Sequence, residues 1–157
     1  MSYLVVYYSR TGRTRKIGKI IATETNCDSE EIIDTKKRTG IIGFLKSGKD
    51  ATLKKLATIR EVQKNPELYD LIILGTPIWN KRITPAIRTY ITDFKDKFRN
   101  VAFFCTEGGS GGQKIFNSMA NLCEITPKST LEITKSDIKN EEHIIKIKKF
   151  IQELKKG

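Results

Sequence analysis

A polar segment near the start of the chain has the composition of a phosphate-binding loop. It consists of Ser9, Arg10, Thr11, Gly12, Arg13 and Thr14. Hydroxyl groups, together with a glycine that lets the backbone approach a ligand closely, suit a phosphate held at a helix N-terminus. The two arginines would add Coulomb attraction. A plain capped helix start explains one hydroxyl, whereas three hydroxyls with two arginines predict phosphate binding.

A second polar loop contains the only tryptophan of the chain. Its residues are Thr76, Pro77, Ile78, Trp79, Asn80 and Lys81. A large aromatic ring at a loop crest is costly to expose unless it covers something flat. Trp79 could also fold back on the core. Beside a phosphate loop, it becomes a candidate for stacking on a planar ligand.

A third loop is rich in glycine. It comprises Thr106, Glu107, Gly108, Gly109, Ser110, Gly111 and Gly112. With few side chains, its backbone groups could press against a planar heterocycle. A flexible connection without a ligand is the alternative interpretation.

The elements between these loops predict an α/β fold in one domain covering residues 1–157. Short β-branched or apolar runs predict strands at residues 3–8, 30–33, 70–75, 101–105 and 130–134. Helical spacing predicts helices at residues 13–26, 50–64, 85–97, 113–122 and 141–155. Alternating strands and helices imply a parallel sheet covered on both faces, in which ligands bind beyond the carboxyl ends of the strands.

Local patterns locate one helix start and the apolar faces of two helices. Thr84 and Pro85 read as an N-cap with proline at the first helical position. The helix at residues 50–64 would place Leu53, Leu56 and Ile59 on one side. The helix at residues 141–155 would turn these side chains inward: Ile144, Ile147, Ile151 and Leu154.

The three loops, in this order and separation, resemble the flavin mononucleotide (FMN) site of the flavodoxin family, and the likeness covers nearly the whole chain. The resemblance implies a flavodoxin-like three-layer α/β/α sandwich whose five-stranded parallel sheet has the order 2-1-3-4-5. It implies that the phosphate is held by Ser9, Thr11, Gly12 and Thr14, with Arg10 and Arg13 nearby. Trp79 would stack on the isoalloxazine, residues 76–80 would line its redox-active edge, and residues 106–112 would contact its pyrimidine side.

Two positions depart from the pattern of flavodoxin-type carriers. The loop after the fourth strand has no second aromatic residue to sandwich the ring, so one face of the flavin would stay open. Asn80 stands where carriers often have glycine, and asparagine tolerates left-handed backbone geometry less cheaply than glycine.

A glycine-containing segment at residues 43–50 nearly matches a nucleotide-binding P-loop. A true P-loop has serine or threonine after the lysine and follows a buried strand directly. Here Asp50 follows Lys49, and its carboxylate would repel phosphate. We expect Asp50 to cap the next helix, and residues 40–48 to form a basic flap near the flavin edge.

The net charge of +11 makes an anionic partner the first class to consider. Residues 36–64 hold nine basic and two acidic residues, but apart from Phe44 no aromatic residue is interleaved with them. Without a nucleic-acid-binding motif, this segment reads as a solvated face, so we expect no nucleic-acid partner. No apolar run approaches the roughly 20 residues that span a bilayer, so we expect no membrane span.

The cysteines predict a reduced, cytoplasmic protein. Cys27, Cys105 and Cys123 form no C-x-x-C pair, and any disulfide scheme leaves one over. No secretory leader is visible at the start of the sequence. His143 is the only histidine, so no metal site and no acid–base or nucleophilic centre is predicted.

Three function classes follow. We favour an FMN-binding electron carrier that works between protein partners. The alternative is an FMN-dependent reductase of the same fold, which would pass electrons from NAD(P)H to quinones or other flavins. A cofactor-free basic module is the remote third class. Since many flavodoxins are acidic, the positive charge implies redox partners with acidic docking surfaces, or a small anionic or quinone-type acceptor.

Overall fold

The computed structural model describes residues 1–35 and 56–156. Within them, five parallel strands form one sheet in the order β2-β1-β3-β4-β5, which confirms the predicted order. The strands are β1 Tyr3–Tyr7, β2 Asp28–Glu31, β3 Leu71–Pro77, β4 Val101–Glu107 and β5 Thr130–Thr134. β1, β3 and β4 are buried along almost their whole length, as their continuous apolar runs predict.

Helices cover both faces of the sheet, so the three-layer sandwich is confirmed. The α-helices are α1 Arg13–Thr25, α2 Pro85–Phe94, α3 Gly112–Cys123, α4 Lys135–Lys139 and α5 Glu142–Lys155. Short 3-10 turns lie at Pro66–Leu68 and Lys95–Lys97. None of the described helices is long and apolar enough to cross a membrane.

Alternate residues of the central strands pack into two separate hydrophobic cores, one on each face of the sheet. On one face Val6 and Leu74 pack with α2 and α3, and on the other Val5 and Ile73 pack with α1 and α5. The helices pack tightly enough on the strands that Gly18 of α1 has no room for a side chain beside the Tyr7 ring. This close packing fixes where the loops leave the sheet.

The predicted helix at residues 50–64 is wrong over the part that the structure describes. Residues 56–64 contain no helix; Ile59 instead forms an antiparallel bridge with Asp34. The hydroxyl of Thr89 in α2 accepts from the Ala57 N–H at 2.8 Å and donates to the Ala57 carbonyl at 2.9 Å. This tertiary contact occupies backbone groups that a helix would need. Leu53, the Asp50 cap and the flap at residues 40–48 lie outside the described residues.

The start of the last helix also differs from the prediction. Ile144 is 44% exposed, whereas Ile147, Ile151 and Leu154 are buried as predicted. His143 takes the inward position instead, with its Nδ1 3.3 Å from the Asp137 carbonyl oxygen in α4. The separate helix α4 was not predicted, and its packing against α5 explains why position 143 rather than 144 is covered.

Candidate functional site

A cavity of about 410 Å³ opens beyond the carboxyl ends of the strands. The residues that line it are Arg10, Thr11, Arg13, Thr14, Pro77, Ile78, Trp79, Thr106, Glu107, Gly108 and Lys135. It therefore lies beside β1 and β3, where the strand order reverses and ligands bind in sheets of this kind. Its size is within the range of about 300–1,000 Å³ typical of cofactor sites.

The first loop ends at an N-terminus of α1 that no described side chain caps. Gly12 is the N-cap residue, with a left-handed φ of 98°, and its N–H donates to the Ser9 hydroxyl at 3.1 Å. The first turn of α1 carries no acidic residue. Its backbone N–H groups are therefore available to an anion, beside the cavity-lining Thr11 and Arg13.

Hydrogen bonds join the three loops. The hydroxyls of Thr14 and Thr106 are 2.8 Å apart and buried, which ties the first loop to the third. The Ile78 N–H donates to the Thr106 carbonyl at 3.1 Å, which ties the second loop to the third. These contacts lie within the protein and join the walls of the cavity without a ligand.

The second loop turns back on itself immediately after the cavity wall. The Arg82 N–H donates to the Trp79 carbonyl at 2.9 Å, and the Trp79 N–H donates to the Arg82 carbonyl at 3.3 Å. Asn80 and Lys81 have φ values of 47° and 56°. Two successive left-handed residues between paired ends define a type I′ turn, so Asn80 adopts the left-handed geometry despite not being glycine.

Trp79 packs against the core and also lines the cavity, so the two interpretations of this residue are compatible. Its ring lies edge-on to Tyr8, with centroids 5.5 Å apart and planes at 86°. The Arg10 guanidinium carbon is 6.0 Å from the Trp79 ring centroid, at the limit of a cation–π contact. The indole is held in place by protein contacts and needs no ligand to order it.

The third loop contributes Thr106, Glu107 and Gly108 to the cavity. Glu107 is only 6% exposed, and its Oε1 has no hydrogen-bond partner among the described residues. Gly112 instead starts α3, where its N–H donates to the Glu132 carboxylate at 3.0 Å. Gly112 therefore closes the loop against β5 rather than facing the cavity.

Some predicted site residues lie near the cavity without lining it. They are Ser9, Gly12, Thr76, Asn80, Gly109, Ser110, Gly111 and Gly112. Thr76 is fully buried, and its hydroxyl donates to the Pro77 carbonyl at 2.9 Å and lies 3.0 Å from the Thr84 hydroxyl. Thr76 therefore holds the second loop in place from the buried side, away from the cavity lining. Thr84 is the N-cap residue of α2 and Pro85 its first residue, as predicted, although the Thr84 hydroxyl bonds to Thr76 rather than capping the helix.

Comparison with known proteins shows the family to which the chain belongs. A sequence profile described as Flavodoxin matches residues 2–151. The chain belongs to the flavodoxin family. No curated protein sequence matches it.

Solved structures share this flavodoxin fold at low sequence identity. A flavoprotein of Lactobacillus acidophilus NCFM in complex with FMN has a TM-score of 0.73 at 19% identity, covering 88% of this chain and 97% of that one. The general stress protein 14 of Treponema denticola, also in complex with FMN, has a TM-score of 0.55 at 12% identity, covering 97% of each chain. Megasphaera elsdenii flavodoxin in its two-electron reduced form has a TM-score of 0.54 at 19% identity, covering 85% and 86%.

Lys135 is the cavity residue of this flavodoxin-family chain that the sequence prediction missed. It is the first residue of α4 and directly follows β5. Since β5 is parallel to the other strands, its carboxyl end lies at the same edge as theirs. That rule, applied to the fifth strand as well as to the first, third and fourth, could have found it.

The described part of this flavodoxin-family chain offers no nucleophile or metal centre at the cavity. Burial, followed by the nearby Glu132 charge, raises the pKa of the Cys105 thiol, so it stays protonated. No group of three or more histidine, cysteine or acidic side chains among the described residues could hold a metal ion. The described residues give the cavity hydroxyls, cations, a carboxylate and an indole, all of which are groups that can bind and orient a ligand.

Proposed function

We propose that this protein binds FMN in the cavity and carries electrons between protein partners. The observation that supports the proposal most strongly is one continuous cavity that joins the uncapped start of α1 to the Trp79 indole. One end suits a phosphate and the other suits a flat aromatic ring. The family membership and the FMN complexes of two structural neighbours support the same ligand.

The residues divide into a phosphate end and a ring end. The backbone N–H groups at the start of α1, with the hydroxyls of Thr11 and Thr14, would hold the phosphate, while Arg13 supplies positive charge. At the ring end, Trp79 would stack on the isoalloxazine, and Glu107 with Gly108 would face its pyrimidine side. FMN supplies the electron chemistry when bound, and the protein supplies orientation and electrostatics.

The charge of the molecule supports acidic redox partners. The chain carries +11 overall, and of the described charged residues Arg10, Arg13 and Lys135 line the cavity against the carboxylate of Glu107. A partner with an acidic docking surface, or a small anionic acceptor, would be attracted to this edge, and we do not propose a nucleic-acid partner. The free thiols of Cys27, Cys105 and Cys123 suit a reducing compartment such as the cytoplasm.

A reductase is the second candidate function. Flavodoxin-type carriers usually place a second aromatic residue after the fourth strand, whereas here the third loop lines the cavity with Thr106, Glu107 and Gly108. One face of a bound ring would then stay open to a small acceptor such as a quinone.

Spectroscopy and turnover test the two candidates in order. The purified protein should be yellow, or should become so on adding FMN, and denaturation should release FMN. Riboflavin, which lacks the phosphate, should bind at least about tenfold more weakly. A colourless protein that ignores FMN would contradict both candidates. Steady NAD(P)H oxidation with a quinone and no added reductase would favour the reductase, whereas electron transfer that requires a separate reductase would favour the carrier.

A further inference from the structure

Glu107 is a buried carboxylate without an evident structural task. It is the last residue of β4, it is 6% exposed, and it lines the cavity. Its Oε1 is shielded from solvent and has no hydrogen-bond partner among the described residues. Burying a carboxylate without compensating donors is unfavourable, so an unpaired oxygen here indicates a group held ready for a ligand.

The neighbouring carboxylate shows the contrast. Glu132 on β5 accepts the N–H of Gly112 at 3.0 Å and so holds the start of α3 in place. Thr106, the residue before Glu107, also has its partner, because its hydroxyl lies 2.8 Å from that of Thr14. These two polar groups are thus used within the protein, whereas the Oε1 of the cavity-lining Glu107 has no hydrogen-bond partner among the described residues.

We propose that Glu107 accepts a hydrogen bond from the ring N–H of the bound flavin. This inference rests on the proposed function. The oxidised isoalloxazine has one N–H, in its imide, and its other polar ring atoms are acceptors that a carboxylate would repel. The phosphate would be repelled as well, so the charge of Glu107 orients the ligand with its phosphate toward α1 and its imide toward β4.

Binding constants for FMN and for 3-methyl-FMN, whose imide N–H is replaced by a methyl group, test the contact. The unmodified protein should bind 3-methyl-FMN at least about tenfold more weakly, since a hydrogen bond to a carboxylate is lost and an unpaired buried charge remains. Glu107→Ala should bind the two ligands within about twofold of each other, because it has no acceptor. Glu107→Gln should give an intermediate ratio, because its amide oxygen accepts without charge.

A control and a stability measurement separate binding from a structural role. Glu24→Ala, at an exposed position in the last turn of α1, should keep the ratio of the unmodified protein. Without FMN, Glu107→Gln should melt at the same or a higher temperature, because it removes the charge of a buried carboxylate whose Oε1 lacks a hydrogen-bond partner among the described residues. If Glu107→Ala does not fold, the Glu107→Gln ratio alone decides, and it must fall at least about threefold.

Two results would overturn the inference while leaving the proposed function standing. One is equal affinity of the unmodified protein for both ligands, which would assign the Glu107 carboxylate to a ribityl hydroxyl or to no ligand atom. The other is an unchanged ratio in the Glu107 variants, accompanied by a lower melting temperature, which would make Glu107 structural. Failure of the unmodified protein to bind FMN at all would instead overturn the proposed function.

Discussion

At the scale of single residues, Trp79 links the core to the cavity. The residue is 6% exposed, and its ring meets Tyr8 edge-on on the protein side while the residue lines the cavity. An indole fixed in this way loses little entropy when a flat ligand stacks on it. The residue should therefore contribute both to folding stability and to FMN affinity, and the two contributions can be separated by substitution.

Trp79→Leu should weaken FMN binding about three- to tenfold, because leucine fills apolar space but removes the aromatic face. Phe98→Leu is the matched control, since Phe98 is also buried but lies before β4, at the opposite edge of the sheet. Both variants should lower the free energy of unfolding by about 1–3 kcal/mol. Fluorescence titration with FMN measures affinity and urea unfolding measures stability. Equal FMN affinity in all three proteins would show that Trp79 is only a core residue.

At the scale of elements, the second of the three loops that form the cavity contains strained backbone. The type I′ turn places the exposed Lys81 at a φ of 56°. A left-handed conformation costs a non-glycine residue about 1–2 kcal/mol. This strained residue lies two positions after the cavity-lining Trp79.

Lys81→Gly should stabilise the protein by up to about 1 kcal/mol, because the relief of strain exceeds the extra entropy that glycine loses on folding. The same substitution at Lys148, an exposed position in the interior of helix α5, should instead destabilise by about 1 kcal/mol, because glycine is a poor helix former. Urea unfolding of the two variants measures both effects. Destabilisation by Lys81→Gly would show that the side chain of Lys81 contributes more than its backbone strain costs.

Helix α4, whose first residue Lys135 lines the cavity, is held by a charged cap. The Asp137 carboxylate accepts the Thr134 N–H at 2.7 Å and lies 2.8 Å from the Lys146 ammonium. Burial raises the pKa of Asp137, but the hydrogen bonds from Lys146 and Thr134 outweigh it and hold that pKa below its usual value. The cap should therefore stabilise the fold at neutral pH and weaken in acid.

Asp137→Asn should cost about 1 kcal/mol of unfolding free energy at pH 7. Because the folded pKa is lowered, the carboxylate contributes fully above the unfolded value of about 3.9 and less as the pH falls through the folded value. The difference between the two proteins should therefore shrink between pH 5 and pH 3, as measured by urea unfolding. A difference independent of pH would mean that the charge of Asp137 contributes nothing.

The sequence predicted those strands and loops that a continuous run of residues of one type marks along the chain. The continuous apolar runs located the central strands, and the polar clusters after them located the three loops. Residues 56–64 could not be predicted in the same way, because the Thr89 hydroxyl on a distant helix occupies the backbone of Ala57. The predicted burial of Ile144 was wrong for a similar reason, since α4 packs against His143 instead. That the Glu107 Oε1 lacks a hydrogen-bond partner among the described residues depends on three-dimensional neighbours that the spacing of residues does not reveal.

At the scale of the whole molecule, the positive charge should act on the rate of electron exchange. Among the described residues, three cations and one carboxylate line the cavity, and the chain as a whole carries +11. Fields of this kind raise the encounter rate with anions and lose strength as salt shortens the screening length from about 30 Å at 0.01 M to about 8 Å at 0.15 M. The effect should have opposite signs for acceptors of opposite charge.

Reduced, FMN-loaded protein should react with ferricyanide more slowly as salt is added, by about tenfold between 0.01 M and 0.5 M. With the cationic acceptor hexaamminecobalt(III), salt should instead speed the reaction. Stopped-flow absorbance measures both rates. The same salt response for both acceptors would mean that the charge near the cavity does not guide its partners.

The central claim is that FMN occupies the cavity with its ring against Trp79, and the sequence supplies its own probe because Trp79 is the only tryptophan. Titration of the FMN-free protein with FMN, followed by tryptophan emission, tests the claim most directly. The account predicts that most of the emission is quenched with a stoichiometry of about one FMN per chain, and that riboflavin is much less effective. Emission that is unchanged at a large excess of FMN would contradict it.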